Sequence, residues 1–310
     1  MGKLERLEIW YEDEGVVGLL KAVWVTAIYL TPLYYVCERV LGEEFHEKLI
    51  RAPRLGYWPK IKYPRSFNEK ILHRKLYTDN DLYTRVADKW DVREYVEEKV
   101  GDEILNEVYH VTDDPETIPF EELPEKFVVK VNHGCGWFTL VEGKEDLDKE
   151  EIKSECEEWL SKTYGRQKRE YWYRDIEPKI IVENFIESDD QEVPRDFKFF
   201  VFDGRVEYIE VDFDRFTDHS RRFFDRDWEP KEFALEFPLG PTAEEPSQLD
   251  EMIEIAETLG GDFDAIRVDL YQPTDDEIVF GEITVAHGAG GEKFDPMEYD
   301  YEFGSYWPTE

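Results

Sequence analysis

Two carboxylates, Asp269 and Glu282, stand in the runs Arg267-Val-Asp-Leu-Tyr271 and Phe280-Gly-Glu-Ile-Thr284. In the first run Ile266, Val268 and Leu270 alternate with Arg267, Asp269 and Tyr271, the period of a strand with two unlike faces. The connection Gln272-Pro-Thr-Asp-Asp276 is short enough for a hairpin into Glu277-Ile-Val-Phe-Gly-Glu282. Pairing of the two strands brings Asp269 and Glu282 toward one point beside Arg267. Two such carboxylates suit Mg²⁺, a hard cation that takes few protein ligands and completes its octahedron with water and phosphate. A solvated strand face with ordinary charges is the other reading of the same residues.

A second stretch able to do chemistry is Phe127-Val-Val-Lys-Val131, followed directly by Asn132-His-Gly-Cys-Gly-Trp137. A strand that hands over to a loop with Gly134 and Gly136 lets backbone N–H groups approach phosphate oxygens. Lys130, on the strand, can reach the same phosphates. Neither GxxxxGK[ST] nor GxGxxG is present, and a plain turn is the alternative. Cys135 reads as a small packing residue between glycines rather than a thiol nucleophile. His133 is open between a phosphate contact and a structural hydrogen bond. The six His form no HxxxH spacing, which argues against a zinc enzyme. Cys37, Cys135 and Cys156 are too scattered for a disulfide framework, and a reducing, cytoplasmic compartment is expected.

The elements that must position these residues can be read in order. Ser66 and Glu69 have capping-box spacing, with Phe67, Ile71, Leu72 and Leu76 following at helical intervals. Asp91 and Glu94 repeat that spacing before a helix that stops at Gly101, and Lys89 lies at the entry. Strands are expected at 104–111, 127–131 and 179–186, the last ending in the polar patch Glu187-Ser-Asp-Asp190. Asp148 opens an amphipathic helix through Trp159. Residues 197–201 and 206–211 form a hairpin about Asp203-Gly204. Ser247 starts a helix through Leu259, closed by Gly260-Gly261.

Composition narrows the function classes. The 310 residues include 74 acidic and 38 basic side chains, a net charge of −36 spread through every segment. Such a surface repels phosphates and excludes nucleic acid as a partner. Disorder does not follow, because 9 Trp, 18 Tyr and 20 Phe supply a core. A folded, acidic, Lys-poor chain implies a halophilic protein kept soluble by hydrated carboxylates.

Val16 to Cys37 is apolar apart from Lys21. The acidic residues before it argue against a signal peptide. Its 16 uncharged residues from Ala22 to Cys37 fall short of a bilayer span. A helix packed on the body and ended or kinked at Pro32 is one reading. Peripheral membrane contact through residues 16–37, with Lys21 and Arg39 snorkelling, is the other.

The order of these motifs resembles the ATP-grasp superfamily, and within it the TupA-like branch named for teichuronopeptide biosynthesis. The resemblance covers residues 60–307. It rests on Ser66-Phe-Asn-Glu-Lys70, Ala87-Asp-Lys-Trp-Asp-Val-Arg-Glu-Tyr95, Leu123 through Trp137, Asp196-Phe-Lys-Phe-Phe200, Arg267 through Tyr271, Gly281-Glu-Ile-Thr284 and Gly288 through Phe294. It implies an α+β ATP-grasp fold with ATP between two α+β lobes. The divisions are a helical extension (1–59), a helical N-terminal lobe (60–100), a nucleotide lobe (101–190) and a metal-binding lobe (191–310). By the same resemblance Lys89 and Lys130 become the phosphate lysines, and Gly134 to Gly136 the loop over the β- and γ-phosphates. Glu183, Phe185 and Ile186 become the adenine hinge. Asp190 meets the ribose, with Glu187 its rival. Lys198 or Arg267 holds the transferring phosphate, and Asp269 and Glu282 ligate Mg²⁺. Thr284 stands where many relatives have Asn; its hydroxyl is the poorer metal ligand, which puts a second, fully occupied Mg²⁺ site in doubt.

The implied reaction is ATP-dependent ligation of a sugar-acid or polymer carboxylate to an amine acceptor through an acylphosphate, in cell-surface polysaccharide biosynthesis. It needs positioning and charge neutralisation rather than a protein nucleophile. A sugar kinase or transferase using the same fold is the alternative. A binding module without turnover is a third, opposed by the joint presence of Lys89, Lys130, Asp269 and Glu282.

Overall fold

The computed structural model describes residues 33–145, 147–166, 168–187, 195–214 and 218–308, together with Val16 and Val23. They fall into two compact units, one drawn from Met1–Asp79 and Gly288–Ser305, the other from Asn80–His287 and Tyr306–Glu310. Most of the apolar stretch Val16–Cys37 lies outside the described residues. Among those described, no helix is long and apolar enough to cross a membrane.

Among the described residues the first unit contains α1 (Leu33–Leu41), α2 (Glu43–Leu55) and α3 (Phe67–Tyr77). Gly42, at φ 79°, separates α1 from α2, and Gly56, at φ 78°, ends α2 by donating its N–H to the Ala52 carbonyl. The capping box at α3 forms as its spacing predicts. Ser66 accepts from the Glu69 N–H, and the Glu69 carboxylate accepts from the Ser66 N–H.

The second unit opens with α4 (Asp81–Ala87) and α5 (Val92–Val100). Gly101 ends α5 as expected, but Asp91 makes no side-chain cap. The Asp88 carboxylate takes the N–H groups of Trp90 and Asp91 instead, at 2.8 and 3.3 Å. Strands β1 (Val108–Thr112), β2 (Phe127–Val131) and β3 (Phe138–Val141), helix α6 (Lys149–Leu160) and strand β4 (Ile180–Asn184) follow. They build an antiparallel sheet of order β1-β4-β2-β3. Phe127, Val129 and Val131 bury one face of β2 against Ile152, Cys156 and Trp159 of α6. Asp148 caps α6 through the Glu151 N–H. The strand expected at 104–111 starts only at Val108.

A larger sheet follows. It contains β5 (Asp196–Phe202), β6 (Arg205–Phe213), β7 (Ser220–Asp225) and β8 (Pro230–Lys231). After the two-residue β9 (Ala234–Leu235) and helix α7 (Leu249–Gly260), the chain adds β10 (Ala265–Thr274) and β11 (Glu277–Thr284). The six strands run in the order β11-β10-β5-β6-β7-β8, every neighbouring pair antiparallel. The β5–β6 turn holds Asp203 and Gly204 at φ 49° and 74°, the left-handed pair that a tight hairpin requires. Helix α7 covers β10, β5 and β6, and its Gly260 lies so close to Val201 that a Cβ there would come within 2.6 Å of Val201 Cγ1. Ser247 does not cap α7: Gln248 holds that position, and the Ser247 hydroxyl donates to the Asp275 carbonyl.

The last helix, α8 (Glu298–Tyr306), brings Asp300 back to the first unit. Its carboxylate accepts from the Tyr57 hydroxyl at 2.6 Å and from the Asn68 N–H at 2.9 Å, placing a negative charge at the N-terminus of α3. The fold is α+β, as the motif order implied.

Candidate functional site

Strand register fixes the centre of the site. Asp269 pairs with Glu282 on one side and with Lys198 on the other, and Lys198 pairs with Glu210. Four charged residues therefore form one rung across β11, β10, β5 and β6, because side chains on directly opposed residues share a face. Arg267, two residues before Asp269, projects from that same face and pairs with Thr284.

Arg267 ties the rung together. Its Nε and Nη2 donate to the two oxygens of Asp269 at 2.7 and 2.6 Å, a fork-to-fork contact. Nη2 also lies 3.4 Å from Glu282 Oε1, and Nη1 donates to His287 Nδ1 at 2.7 Å. Lys89 reaches the other oxygen of Glu282 at 3.3 Å, and the Thr284 hydroxyl donates to Glu282 Oε1 at 3.3 Å. Asp269 is 3% exposed, so this is no solvated strand face. Burial pushes the Asp269 carboxyl up to about 7, helped by the Asp196 carboxylate and opposed by Arg267. Glu282 moves the other way: burial would raise it, but Lys89 and Arg267 outweigh burial and hold it at about 2.

Lys198 is 3% exposed and sits between Asp196 Oδ2 at 2.6 Å and Asp212 Oδ2 at 2.8 Å. Asp212 in turn accepts from Arg221 Nε and faces His219 Nε2, both at 2.8 Å. Arg221 also lies 2.9 Å from Glu210 Oε1.

The smaller sheet supplies the other residues singled out by sequence. Lys130 on β2 pairs with Glu183 on β4 at 2.5 Å, both half-buried. Phe185 and Ile186 follow β4 directly and are half-buried. Glu187 is exposed and paired with Lys126, while Asp190 lies outside the described residues. In the loop after β2, Gly136 adopts φ 75°, and a Cβ on Gly134 would run into the Trp137 ring. Cys135 is exposed between them. His133 is buried with Nδ1 facing Asn132 Oδ1 at 3.3 Å and Nε2 facing the Trp159 carbonyl at 3.2 Å, an arrangement that supports the loop from beneath.

Asp88 and Asn132, which carried no assignment from sequence, join Lys89 to that loop. The Asn132 amide donates to both Asp88 oxygens at 2.9 and 3.0 Å, and the Lys89 N–H donates to the Asn132 carbonyl at 3.1 Å. Asp196, Glu210, Asp212, Arg221 and His287 were missed as well. The alternation Asp196-x-Lys198 and Glu210-x-Asp212 was a signal, but acidic residues are so common here that it did not stand out.

The site therefore gathers Lys89, Arg267, Asp269, Glu282, Thr284 and Lys198 on one sheet face. Lys130 and Glu183 form a separate pair on the smaller sheet. The first group carries oxygen donors and cations together, and the exposed Cys135 of the adjoining loop lies near enough to the Lys89 ammonium to help raise its pKa against burial.

Comparison with known proteins places the chain. The family described as TupA-like ATPgrasp matches residues 69–307. No curated protein matches it. Among solved structures, the ADP complex of an N5-carboxyaminoimidazole ribonucleotide synthetase is 12% identical over 66% of this chain and 46% of its own, at a TM-score of 0.42. The ATP complex of D-alanine–D-alanine ligase from Bacillus anthracis is 17% identical over 65% of this chain and 55% of its own, at 0.39. The ATP-grasp ligase PsnB, complexed with a phosphomimetic variant of its minimal precursor, Mg and ADP, is 10% identical over 96% of this chain and 73% of its own, at 0.41. The chain spans about half the length of the first two. Matched by sequence from residue 69 to residue 307, the chain belongs to the TupA-like ATP-grasp family.

Proposed function

We propose that the protein is an ATP-dependent carboxylate–amine ligase that works through an acylphosphate. The observation that carries this reading is the rung Glu282–Asp269–Lys198 with Arg267 across it. Opposite charges are held close together on one sheet face, with Asp269 and Lys198 buried. That arrangement serves charge neutralisation and positioning, which is what phosphoryl transfer demands of a protein.

The residues fit Mg²⁺. Asp269 and Glu282 are hard oxygen donors on directly paired positions, and both lie within reach of one guanidinium. Thr284 adds a hydroxyl beside Glu282 rather than a third carboxylate. Among the described residues no group of three His, Cys, Asp or Glu gathers, so the protein offers two acidic ligands. A bound Mg²⁺ supplies charge neutralisation of the phosphate oxygens. Lys89 and Lys130 are the cations for the polyphosphate, and the backbone from Gly134 to Gly136 faces it. Glu183, Phe185 and Ile186 meet adenine, and Asp190 or Glu187 the ribose. Lys198 or Arg267 holds the phosphoryl group in transit. The carboxylate substrate attacks that group and releases ADP. The amine then attacks the acyl carbon, expels phosphate and gives up a proton.

The family description supports work on a cell-surface polymer, with a sugar-acid carboxylate and an amino group as the two acceptors. The deciding experiment is ADP release with Mg·ATP and a panel of uronic acids and amino acids, supplied singly and together. A ligase gives ADP and phosphate in step and needs both substrates for sustained turnover. Full turnover with a sugar alone, without phosphate release, would make the protein a kinase.

A further inference from the structure

In a chain with 74 acidic residues among 310, residues 48–68 contain none. The same run holds six cations, Lys48, Arg51, Arg54, Lys60, Lys62 and Arg65. Lys48, Arg51 and Arg65 pair with the flanking Glu44, Glu47 and Glu69, so the positive surface of the run rests on the exposed Arg54, Lys60 and Lys62, and it suits an anionic counterpart. The run lies wholly within the first unit. Lys60 and Lys62 are exposed, and neither ammonium makes an ion pair or hydrogen bond among the described residues. Lys62 lies 5.9 Å from the ring centroid of Tyr63, which is 75% exposed.

Exposed apolar side chains belong to the same unit as these cations. Trp58 is 51% exposed and meets Phe45 edge-on at 5.7 Å. Helix α1 buries Tyr34 against Ile50 and leaves Tyr35, Val36 and Val40 exposed, with exposed Arg39 among them. Glu38, Glu43 and Glu44 border the face. The Glu44 carboxyl is held below its ordinary value by Lys48 first, then by the Tyr77 hydroxyl, with Lys62 near enough to contribute. Aromatic rings and aliphatic side chains set among Lys and Arg match the layering of a lipid–water interface. Rings sit at headgroup depth, aliphatic groups reach the acyl boundary, and cations meet anionic headgroups. An anionic glycan would answer the charge but gives Val36, Val40 and Trp58 no apolar depth.

We propose that α1 together with residues 54–65 docks the protein peripherally on a bilayer rich in anionic lipid. This inference does not depend on the ligase reading. The test is co-sedimentation of the full-length protein with vesicles of phosphatidylglycerol and, separately, of phosphatidylcholine, at a salt concentration where circular dichroism reports it folded. The wild type should pellet with the anionic vesicles and stay in solution with the neutral ones. The variant Lys60→Glu/Lys62→Glu should lower the partition coefficient by about tenfold or more at the lowest salt concentration at which both proteins are folded. Trp58→Ser should lower it less and leave the residual binding more sensitive to salt. Each variant should retain the wild-type circular dichroism and melting point, since the altered side chains are exposed. A wild type that stays in solution with both vesicles overturns the proposal. So does a Lys60→Glu/Lys62→Glu protein that binds like the wild type. Retention on immobilised polyglucuronate with no vesicle binding would assign the face to a glycan, and would overturn it too.

Discussion

Lys198 and Lys130 are both strand lysines of the candidate site, yet they are held in opposite ways. Lys198 is locked between Asp196 and Asp212, and Asp212 is itself gripped by Arg221 and His219. Lys130 pairs, among the described residues, with Glu183 alone and remains within reach of water. A buried charge in a closed network cannot move without stranding its partners. A half-buried pair can exchange one anion for another at small cost. The larger sheet is thus a fixed electrostatic scaffold, and the smaller sheet is the side that can adapt to a ligand.

The sharpest way to break this contrast is to remove each lysine in turn. Lys198→Met removes the cation that Asp196 and Asp212 share and should destabilise the fold by about 3–5 kcal/mol. Lys130→Met should cost about 1 kcal/mol or less. Urea unfolding of both variants measures the difference, and equal losses would end the distinction. Replacing Asp212 by Asn in the Lys198→Met background should restore part of the loss.

Nucleotide binding is expected to fall next. Asp269→Asn disturbs the Arg267 fork and should weaken Mg·ATP binding by about 2–5 kcal/mol. Lys130→Ala removes one charge-assisted contact and should weaken it by about 1.5–3 kcal/mol. Calorimetry giving wild-type affinity in both would remove the site assignment.

Acid should separate the two sheets as well. Burial alone would raise the Asp212 carboxyl, but the hydrogen bond with His219 and the charges of Lys198 and Arg221 hold it far below the ordinary carboxylate range. Its folded value lies below its unfolded value of about 4, so its contribution is present above that pH and is lost as pH falls further. Asp212→Asn should therefore flatten the acid limb of the stability curve below about pH 4. An unchanged limb would mean that other carboxylates dominate it.

Smaller effects refine the picture. Gly136→Ala forces a side chain into a left-handed backbone and should cost about 1 kcal/mol, with a matching loss of nucleotide affinity if the loop covers phosphate. Molar KCl, which cuts the screening length to about 3 Å, should erase the small cost of Lys130→Met and leave that of Lys198→Met nearly intact. It should also raise the melting point of the parent protein, whose net charge of −36 repels itself at low salt. A melting point indifferent to KCl would set aside the halophilic reading.

What sequence disclosed and what it withheld follow one physical divide. Ser66 with Glu69, Asp148, Asp203-Gly204 and the β10–β11 pairing act over a few residues, and each was legible. Asp91 had cap spacing but makes no cap; Asp88 instead takes the N–H groups of Trp90 and Asp91, one turn earlier. Ser247 lost its role to a tertiary hydrogen bond with Asp275. The Asp88–Asn132 link spans 44 positions, and the Arg267–His287 bond spans 20. Lateral neighbours of this kind are set by strand order, which a local pattern of charges does not encode. The charged rung was half visible for the same reason: Asp269 and Glu282 share a hairpin, whereas Lys198 and Glu210 arrive from strands far earlier in the chain.

The bond between the Asn68 N–H and Asp300 joins residues 232 positions apart. During synthesis, α3 therefore leaves the ribosome long before its N-terminal acid exists. At ~5–20 residues per second the delay is roughly 10–50 s. Throughout that interval Tyr57 and the first turn of α3 lack their carboxylate, while the whole of Asn80–His287 emerges and can fold. A nascent chain halted before residue 300 would thus carry a complete α3 sequence without the acid that its N-terminus binds in the finished protein.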